Sequence, residues 1–122
     1  MKTAKYAVMI PVCPKCDAGL FIARLGGVEI DYCNHCRGVW LDAGEWEQLA
    51  GVAFPKFELG GATKHLCPRC DARLDEIHTP GNLTLDKCPR GHGLWFDADE
   101  LQQLLKTTHG APLTEFFNHG GN

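Results

Sequence analysis

Three Cys-x-x-Cys pairs and one further cysteine dominate the chemistry of this 122-residue sequence. The pairs read CPKC, CNHC and CPRC, and the seventh cysteine begins the run CPRGHG. Two residues between thiolates let one loop supply two corners of a tetrahedral metal site, and two such loops supply all four. An odd number of cysteines argues against a closed disulfide framework, so this grouping predicts metal binding in a reducing compartment.

The first two pairs have the spacing of a structural zinc site. They follow the pattern C-x2-C-x16-C-x2-C, which matches the four-thiolate template. The alternative is a pair of redox dithiols, which requires a βαβ context that the sequence does not show. The predicted ligands are Cys13, Cys16, Cys33 and Cys36.

The second set has three cysteines and needs a fourth ligand of another type. Gly91 occupies the place of the fourth cysteine, and His92 follows it. Imidazole nitrogen is as good a zinc ligand as thiolate and reaches further from its Cα. His65 and His78 are alternatives, and a water in the fourth position would give an open, catalytic geometry. The predicted ligands are Cys67, Cys70, Cys88 and His92.

With four ligands in each set, both sites are closed and structural. The prediction is therefore two Zn²⁺ per chain, with no position left for an activated water. No Ser-His-Asp grouping, phosphate loop or paired-carboxylate motif stands out, so we predict no catalytic residues and no enzyme activity. Each half is too small to fold on core burial alone, and the metal is expected to supply most of its folding free energy.

The two ligand sets lie in two copies of a repeat, residues 13–49 and 67–104. The copies share a CPxCD loop, two apolar stretches joined by a turn, a second metal loop and the core G-x-W-x-D-A-x-E. The turns read Gly-Gly in one copy and Pro-Gly-Asn in the other, which is typical of β-hairpins. A hairpin of this kind would bring the two loops of each copy together.

Each copy ends in a segment predicted to be a short helix. Asp42 and Asp97 are candidate N-cap residues, and Glu45 and Glu100 follow three positions later, as in a capping box. This capping role explains the two glutamates without an acid–base function.

Cations and aromatic rings accompany the metal loops. Lys15 and Arg69 lie inside the first loops, and Arg37 and Arg90 lie in or after the second. These cations are expected to offset thiolate charge; a phosphate-binding patch is the alternative. Trp40 and Trp95 are expected in the core. Trp46 has a leucine in its place in the second copy. With Phe116 and Phe117 it is a candidate for an exposed apolar contact, but packing within the protein is the favoured interpretation.

The formal net charge is −3, and zinc-bound thiolates bring it to about −6. An acidic chain has no overall field that attracts nucleic acid, so such binding would need a local patch. The start, MKTAKYAVMIPVC, lacks a convincing secretion signal, and no apolar run approaches the roughly 18 residues of a membrane helix. We expect a cytoplasmic protein that does not bind membranes.

The run CPKC…DYCNHCRGVWLDAGEWEQL resembles the small prokaryotic zinc-finger family named after the zinc ribbon of transcription factor IIB. The shared pattern is a CPxC loop, a C-x-x-C-x-G-x-W-x-D loop and a D-x-x-E-x-x-L helix start. It covers residues 13–49 closely and 67–104 with a departure at Gly91 and His92. The resemblance implies a zinc ribbon; the family name implies transcription, but a fold does not carry function.

The predicted fold is therefore a small metal-stabilised α+β protein of two tandem zinc ribbons, each a β-hairpin between two metal loops followed by a short α-helix. The expected segments are a strand-like start at 1–12, ribbon one at 13–51, a linker at 52–66, ribbon two at 67–106 and a tail at 107–122. The favoured function is a non-catalytic adaptor for a protein partner. The alternatives are a nucleic-acid-binding or transcription-associated ribbon and, third, a thiol redox enzyme or metal carrier.

Overall fold

The computed structural model describes residues 10–109, in which seven strands form one antiparallel sheet accompanied by two helices. The elements are β1 (Phe21–Leu25), β2 (Val28–Tyr32), β3 (Val39–Asp42), α1 (Glu45–Ala50), β4 (Glu58–Leu66), β5 (Arg73–Thr79), β6 (Leu83–Lys87), β7 (Gly93–Phe96) and α2 (Glu100–His109). The strand-like run before residue 10 lies outside the described residues. So do the tail from residue 110 onwards and its Phe116 and Phe117.

The two predicted hairpins are β1–β2 and β5–β6. Gly26 and Gly27 turn the first hairpin with φ values of 59° and 83°, the left-handed conformations that a two-residue type I′ turn requires. Gly81 and Asn82 occupy the corresponding turn of the second hairpin with φ values of 85° and 63°. Each hairpin carries the first metal loop before it and the second metal loop after it.

A third strand in each repeat lies between the second metal loop and the helix, whereas the sequence predicts that the helix follows the loop directly. The cause is an alternation of buried side chains in the G-x-W-x-D core. Trp40 and Leu41 are both fully buried, and successive residues of a strand point to opposite faces of the sheet. Trp95 and Phe96 repeat this arrangement in β7. The run therefore buries side chains on both sides of the sheet and must be extended.

The third strands join the two repeats into one sheet of order β1-β2-β3-β7-β6-β5-β4. β3 and β7 are antiparallel, with Trp40 opposite Trp95 and Leu41 opposite Leu94. The two ribbons thus share a continuous backbone ladder rather than standing as separate modules on a flexible tether.

The sheet separates two hydrophobic clusters. One cluster packs beneath the helices and contains Leu41, Phe96, Trp46, Leu104 and Leu105, with hairpin residues from both repeats. The other cluster contains the buried cysteines with Trp40, Trp95, Leu20 and Leu74. The metal loops therefore belong to a shared core of their own.

The segment expected to be the linker contains β4, a nine-residue strand at the edge of the sheet. Its pairing with β5 shifts register between Leu59 and Gly61 and again between Ala62 and Leu66. Register shifts of this kind twist an edge strand and protect it from pairing with other chains. Before β4, Phe54 and Phe57 pack edge to face, with ring centroids 6.0 Å apart.

The predicted N-cap role of Asp42 is wrong, because Gly44 holds that position in α1 and no side chain caps it. Only the glutamate half of the capping box forms: the backbone N–H of Asp42 donates to Glu45 Oε1 at 2.8 Å, and that of Asp97 to Glu100 Oε1 at 2.8 Å. The Asp42 carboxylate instead accepts the indole N–H of Trp40 at 2.8 Å. The tryptophan two residues earlier competes for the carboxylate that would otherwise cap the helix.

Candidate metal centres

The four cysteines of the first repeat meet in one cluster. Cys13 and Cys16 come from the loop before β1, and Cys33 and Cys36 from the loop between β2 and β3; their sulfurs all lie within 4.8 Å of one another. The Cys13 and Cys36 sulfurs are 3.7 Å apart. Two thiolates at about 2.3 Å from a tetrahedral Zn²⁺ are about 3.8 Å apart, so this spacing fits a shared metal.

The second cluster brings together Cys67, Cys70, Cys88 and His92. The Cys70 and Cys88 sulfurs are 3.6 Å apart, and Nδ1 of His92 lies 3.5 Å from the Cys88 sulfur. A tetrahedral Zn²⁺ with a nitrogen and a sulfur ligand places those two atoms about 3.6 Å apart. His92 is the exposed member of its cluster, whereas Cys67 and Cys88 are buried.

The alternative histidines lie elsewhere and belong to neither cluster. Nδ1 of His65 lies 3.1 Å from the carbonyl oxygen of Pro14, in the first loop of the other repeat. His78 is half exposed, with its Nδ1 at 3.3 Å from the Thr84 hydroxyl. Among the described histidines, His92 is therefore the one placed as a ligand.

The loop geometry accounts for the shift from cysteine to histidine. In the first repeat the backbone N–H of Arg37 donates to the Cys33 carbonyl, and Arg37 has a φ of 69°. In the second repeat the backbone N–H of Gly91 donates to the Cys88 carbonyl, and Gly91 has a φ of 82°. Gly91 stands one position earlier in its repeat than Arg37 does in the first. The second loop thus turns one residue sooner, at a glycine that tolerates left-handed backbone. The next residue, His92, then takes the ligand position.

Backbone amides prepare the sulfurs for a metal. The N–H groups of Lys15 and Cys16 both donate to the Cys13 sulfur at 3.3 Å. The N–H of Arg69 donates to the Cys67 sulfur, and that of Arg90 to the Cys88 sulfur, each also at 3.3 Å. Such bonds favour the thiolate over the thiol, which is the form that binds zinc.

The thiol pKa values differ within each cluster when no metal charge is present. Burial raises the pKa of Cys13, and it raises the pKa of Cys67 to about 12. Burial also opposes ionisation of Cys33, but the amides of Cys36 and His35 outweigh it and lower its pKa to about 7. The Ala72 amide lowers the pKa of Cys70 to about 7. Cys33 and Cys70 therefore ionise near neutral pH, whereas zinc must displace protons from Cys13 and Cys67.

The cation inside each first loop crosses to the other repeat. The Arg69 guanidinium donates from Nε to Asp42 Oδ1 and from a terminal nitrogen to Asp42 Oδ2, both at 2.8 Å. It also pairs with Asp31. Arg69 thus makes bidentate contact with the first repeat, which Lys could not reproduce.

Lys15 makes the reciprocal contacts with the second repeat. Its Nζ lies 3.0 Å from Asp86 and 3.5 Å from Asp97. Burial lowers the pKa of Lys15, but the hydrogen bond and charge of Asp86 outweigh it and raise the pKa overall. Lys15 therefore stays protonated at neutral pH and bridges the two repeats. Lys15, which the sequence predicts to offset thiolate charge, thus also forms ion pairs between the repeats.

Sequence reasoning missed Asp31 and Asp86, the buried acceptors of these cations. Each stands two residues before the first cysteine of a second metal loop, so the repeat contained a signal. Arg69, the partner of Asp31, lies 38 residues away in the sequence. Sequence spacing predicts no contact at such a separation. Aligning charged positions of the two repeats would have marked both residues as a matched pair.

The hairpins, the metal loops and the two four-ligand clusters together define a tandem zinc-ribbon protein with two Zn²⁺ sites. The chain belongs to the Transcription factor zinc-finger family, whose model matches residues 12–51 and 66–107. There is one match for each repeat, which confirms the resemblance seen in the sequence for both copies. Comparisons with curated proteins and with solved structures give no match. Between residues 10 and 109, neither helix has the length and apolar character needed to span a membrane.

Proposed function

We propose that this protein is a non-catalytic, cytoplasmic adaptor, in which two structural zinc sites hold a rigid sheet for binding a protein partner. The observation that carries the proposal is that the first metal loop of each repeat forms ion pairs with the opposite repeat. Lys15 and Arg69, inside the first loops, bind carboxylates of the opposite repeat. The loops therefore fasten the sheet together, as expected of structural metal sites rather than catalytic ones.

Closed coordination supports the non-catalytic assignment. Each cluster offers four ligand atoms within 4.8 Å of one another, which fills a tetrahedral zinc site and leaves no place for an activated water. Thiolates bound in this way are poor nucleophiles, because the metal holds the electron pair that would attack.

The charge distribution argues against nucleic acid as the partner. Two of the four cations at the metal loops, Lys15 and Arg69, are engaged with aspartates of the opposite repeat. This leaves the exposed Arg37 and Arg90 for a phosphate-binding patch. A net charge of −3 adds no long-range attraction for phosphate. A protein partner is further supported by large apolar side chains at the two edges of the sheet, where Ile22 of β1 and Leu59 of β4 are 71% and 69% exposed.

The test starts with the zinc-loaded full chain, to which interacting proteins are cross-linked in its native cells. Each candidate is then purified and titrated against the chain by calorimetry. The proposal requires a saturable complex of fixed stoichiometry that survives nuclease treatment and 0.5 M salt, a condition under which phosphate contacts weaken by orders of magnitude. Retention on DNA or RNA with a steep salt dependence, and no protein complex, would instead support the nucleic-acid alternative.

Zinc exchange separates the proposal from the third alternative, a thiol enzyme or metal carrier. Structural zinc should stay bound in the presence of a weak chelator, and the thiols should react slowly with a disulfide reagent while zinc is present. Rapid loss of the metal, or a fast-reacting thiol in the loaded protein, contradicts the adaptor proposal.

A further inference from the structure

A small apolar cavity lies on the helix side of the sheet, between α1, the loop before β4 and the second metal loop of the second repeat. We call it the Trp46 pocket. Its volume is about 220 Å³. The wall includes Trp46, Phe54, Phe57, Lys87, Gly91 and Leu94.

Trp46, a residue of the pocket wall, carries a hydrogen-bond donor that has no acceptor among the described residues. Trp46 is 1% exposed, and its indole N–H has no partner among residues 10–109. The other two tryptophans differ, since Trp40 donates to Asp42 at 2.8 Å and Trp95 to Asp97 at 2.9 Å. A buried donor that makes no hydrogen bond is unfavourable and rare in folded proteins. Trp46 is therefore the indole that an incoming acceptor could satisfy.

Two residues of the pocket wall, Trp46 and Gly91, are not repeated at the equivalent places in the other half of the molecule. The second repeat has Leu101 where the first has Trp46, and the first has Cys36 where the second has Gly91. A Cβ added at Gly91 would meet nothing within 4 Å, so the space beside this glycine is open. Because His92 supplies the ligand in the second metal loop, position 91 can be a glycine, and its backbone forms part of the pocket wall.

The size and lining of the pocket indicate what it binds. Its volume falls below the roughly 300–1,000 Å³ of most small-molecule sites, which favours a single large side chain. The rings of Trp46 and Phe54 pack edge to face at 5.4 Å and offer an apolar surface. Charges at the rim are mixed, with Lys87 opposed by Asp42 and Glu47, so they favour a neutral occupant.

We propose that the Trp46 pocket receives one large apolar residue of a protein partner, with a neighbouring main-chain carbonyl accepting the Trp46 N–H. Buried anchors of this kind dominate the energy of many protein interfaces. The N–H is covered in the unbound chain, so binding requires the wall to rearrange. Side-chain rotamers commonly change at an interface on binding. Phe54 and Phe57 of the wall lie in the segment 51–57, which forms neither helix nor strand. This inference rests on the proposed adaptor function and gives it a site.

The test is an NMR titration of the zinc-loaded, ¹⁵N-labelled full chain with N-acetyl-phenylalanine methylamide, which carries one aromatic side chain and two carbonyls. The chain has three tryptophans, and Trp46→Phe identifies the indole signal of Trp46. We expect a saturable shift of that signal with a millimolar Kd, no shift of the other two indoles, and no response to N-acetyl-glycine methylamide.

Trp46→Leu is the matched control, because the second repeat has leucine at this place and zinc content shows whether the variant folds. In this variant the probe should no longer shift the amide signals of Gly91 and Leu94. The pocket assignment is overturned if the Trp46 indole does not respond, if the glycine analogue acts equally, or if Trp46→Leu leaves the amide shifts unchanged.

The same variant separates this inference from the proposed function. A purified partner that binds the Trp46→Leu chain with unchanged Kd overturns the pocket assignment and leaves the adaptor function standing. A partner whose binding weakens at least tenfold in this variant, while zinc content stays at two, supports both. If the adaptor proposal fails because no protein partner forms a complex, the probe titration still decides whether the pocket binds an apolar residue.

Discussion

Trp40 lies opposite Trp95 in the ladder between β3 and β7, so each is paired with the residue that occupies its own place in the other repeat. Two glycines, Gly38 and Gly93, leave the space that the two tryptophan rings occupy. A Cβ added at Gly38 would lie 2.1 Å from the Trp95 ring, and one at Gly93 would lie 2.7 Å from the Trp40 ring and 2.1 Å from the Leu41 carbonyl oxygen. Each tryptophan therefore fits over a glycine of the opposite repeat.

This packing predicts a large loss of stability in Gly38→Ala. The added methyl group collides with a fully buried ring, and we expect a loss of about 2–4 kcal/mol, since overpacking of this severity exceeds the usual range. Urea unfolding of the zinc-loaded protein measures it. Gly44→Ala is the control, because its Cβ would meet nothing within 4 Å and only its φ of 91° causes strain, costing about 1–2 kcal/mol. Equal losses in the two variants would contradict the packing argument.

The reciprocal ion pairs predict energetic coupling between the repeats. Arg69→Met should cost about 1–3 kcal/mol, because it leaves buried Asp31 without its cation. A double-mutant cycle with Asp42→Asn should give a coupling of about 1 kcal/mol or more. Arg24→Met is the matched control. Arg24 pairs with Glu29 on the surface, where both side chains are more than half exposed, and a change below about 0.5 kcal/mol is expected.

Metal content tests the ligand assignment of the second site. The wild-type chain should bind two Zn²⁺ and His92→Ala about one, while His92→Cys should keep two because thiolate can replace imidazole. Native mass spectrometry counts the bound metal. His65→Ala and His78→Ala are controls that should retain two. A His92→Ala chain that still holds two zinc ions tightly would mean that another group completes the site.

Glu45 and Glu100 predict a specific pH dependence. Burial raises the pKa of both carboxyls, and hydrogen bonds from the backbone amides of Asp42 and Asp97 lower it. Burial is the larger effect, so both pKa values lie above the ordinary value of 4.5. Each folded-state carboxyl thus holds its proton more tightly than in the unfolded chain. Its contribution to stability is present below pH 4.5 and is lost as the pH rises through the folded pKa.

Replacing Glu45 and Glu100 by glutamine keeps an acceptor for the amide and removes the titration. The free energy of unfolding of the double variant, minus that of the wild type, should therefore increase from pH 4.5 upwards and then level off. Denaturant titrations at matched pH and zinc concentration give this difference. A constant difference across the range would show that burial does not control the two carboxyls.

The local parts of this structure could be predicted from the sequence, and the contacts between distant residues could not. Cysteine spacing, hairpin turns and the neighbouring position of His92 are properties of short segments, and the structure brings all eight predicted ligands into two clusters. The β3–β7 junction depends on contacts between residues 55 positions apart, such as Trp40 and Trp95. No local sequence pattern predicts such a pairing, although the repeat does show that Trp40 and Trp95 occupy equivalent places.

Asp42 shows why a correct local pattern can still mislead. Its spacing to Glu45 is that of a capping box, and Glu45 does bond back to the Asp42 amide. The Asp42 carboxylate, however, binds Trp40 and Arg69. A charged guanidinium from the other repeat offers a stronger bond than a helix amide, and that partner is invisible in the local sequence.

The ladder centred on Trp40 and Trp95 has a consequence for how such a chain could arise. The three central pairs of the ladder are reciprocal, since Val39 faces Phe96 as Leu41 faces Leu94, and the cations cross in both directions. A surface that recognises its own equivalent is the isologous interface of a twofold homodimer, which closes on itself and does not grow into a fibre. The geometry is that of two identical single-ribbon subunits joined into one polypeptide. In one polypeptide the two halves can carry different residues, here a fourth thiolate in one half and an imidazole beside an open glycine in the other.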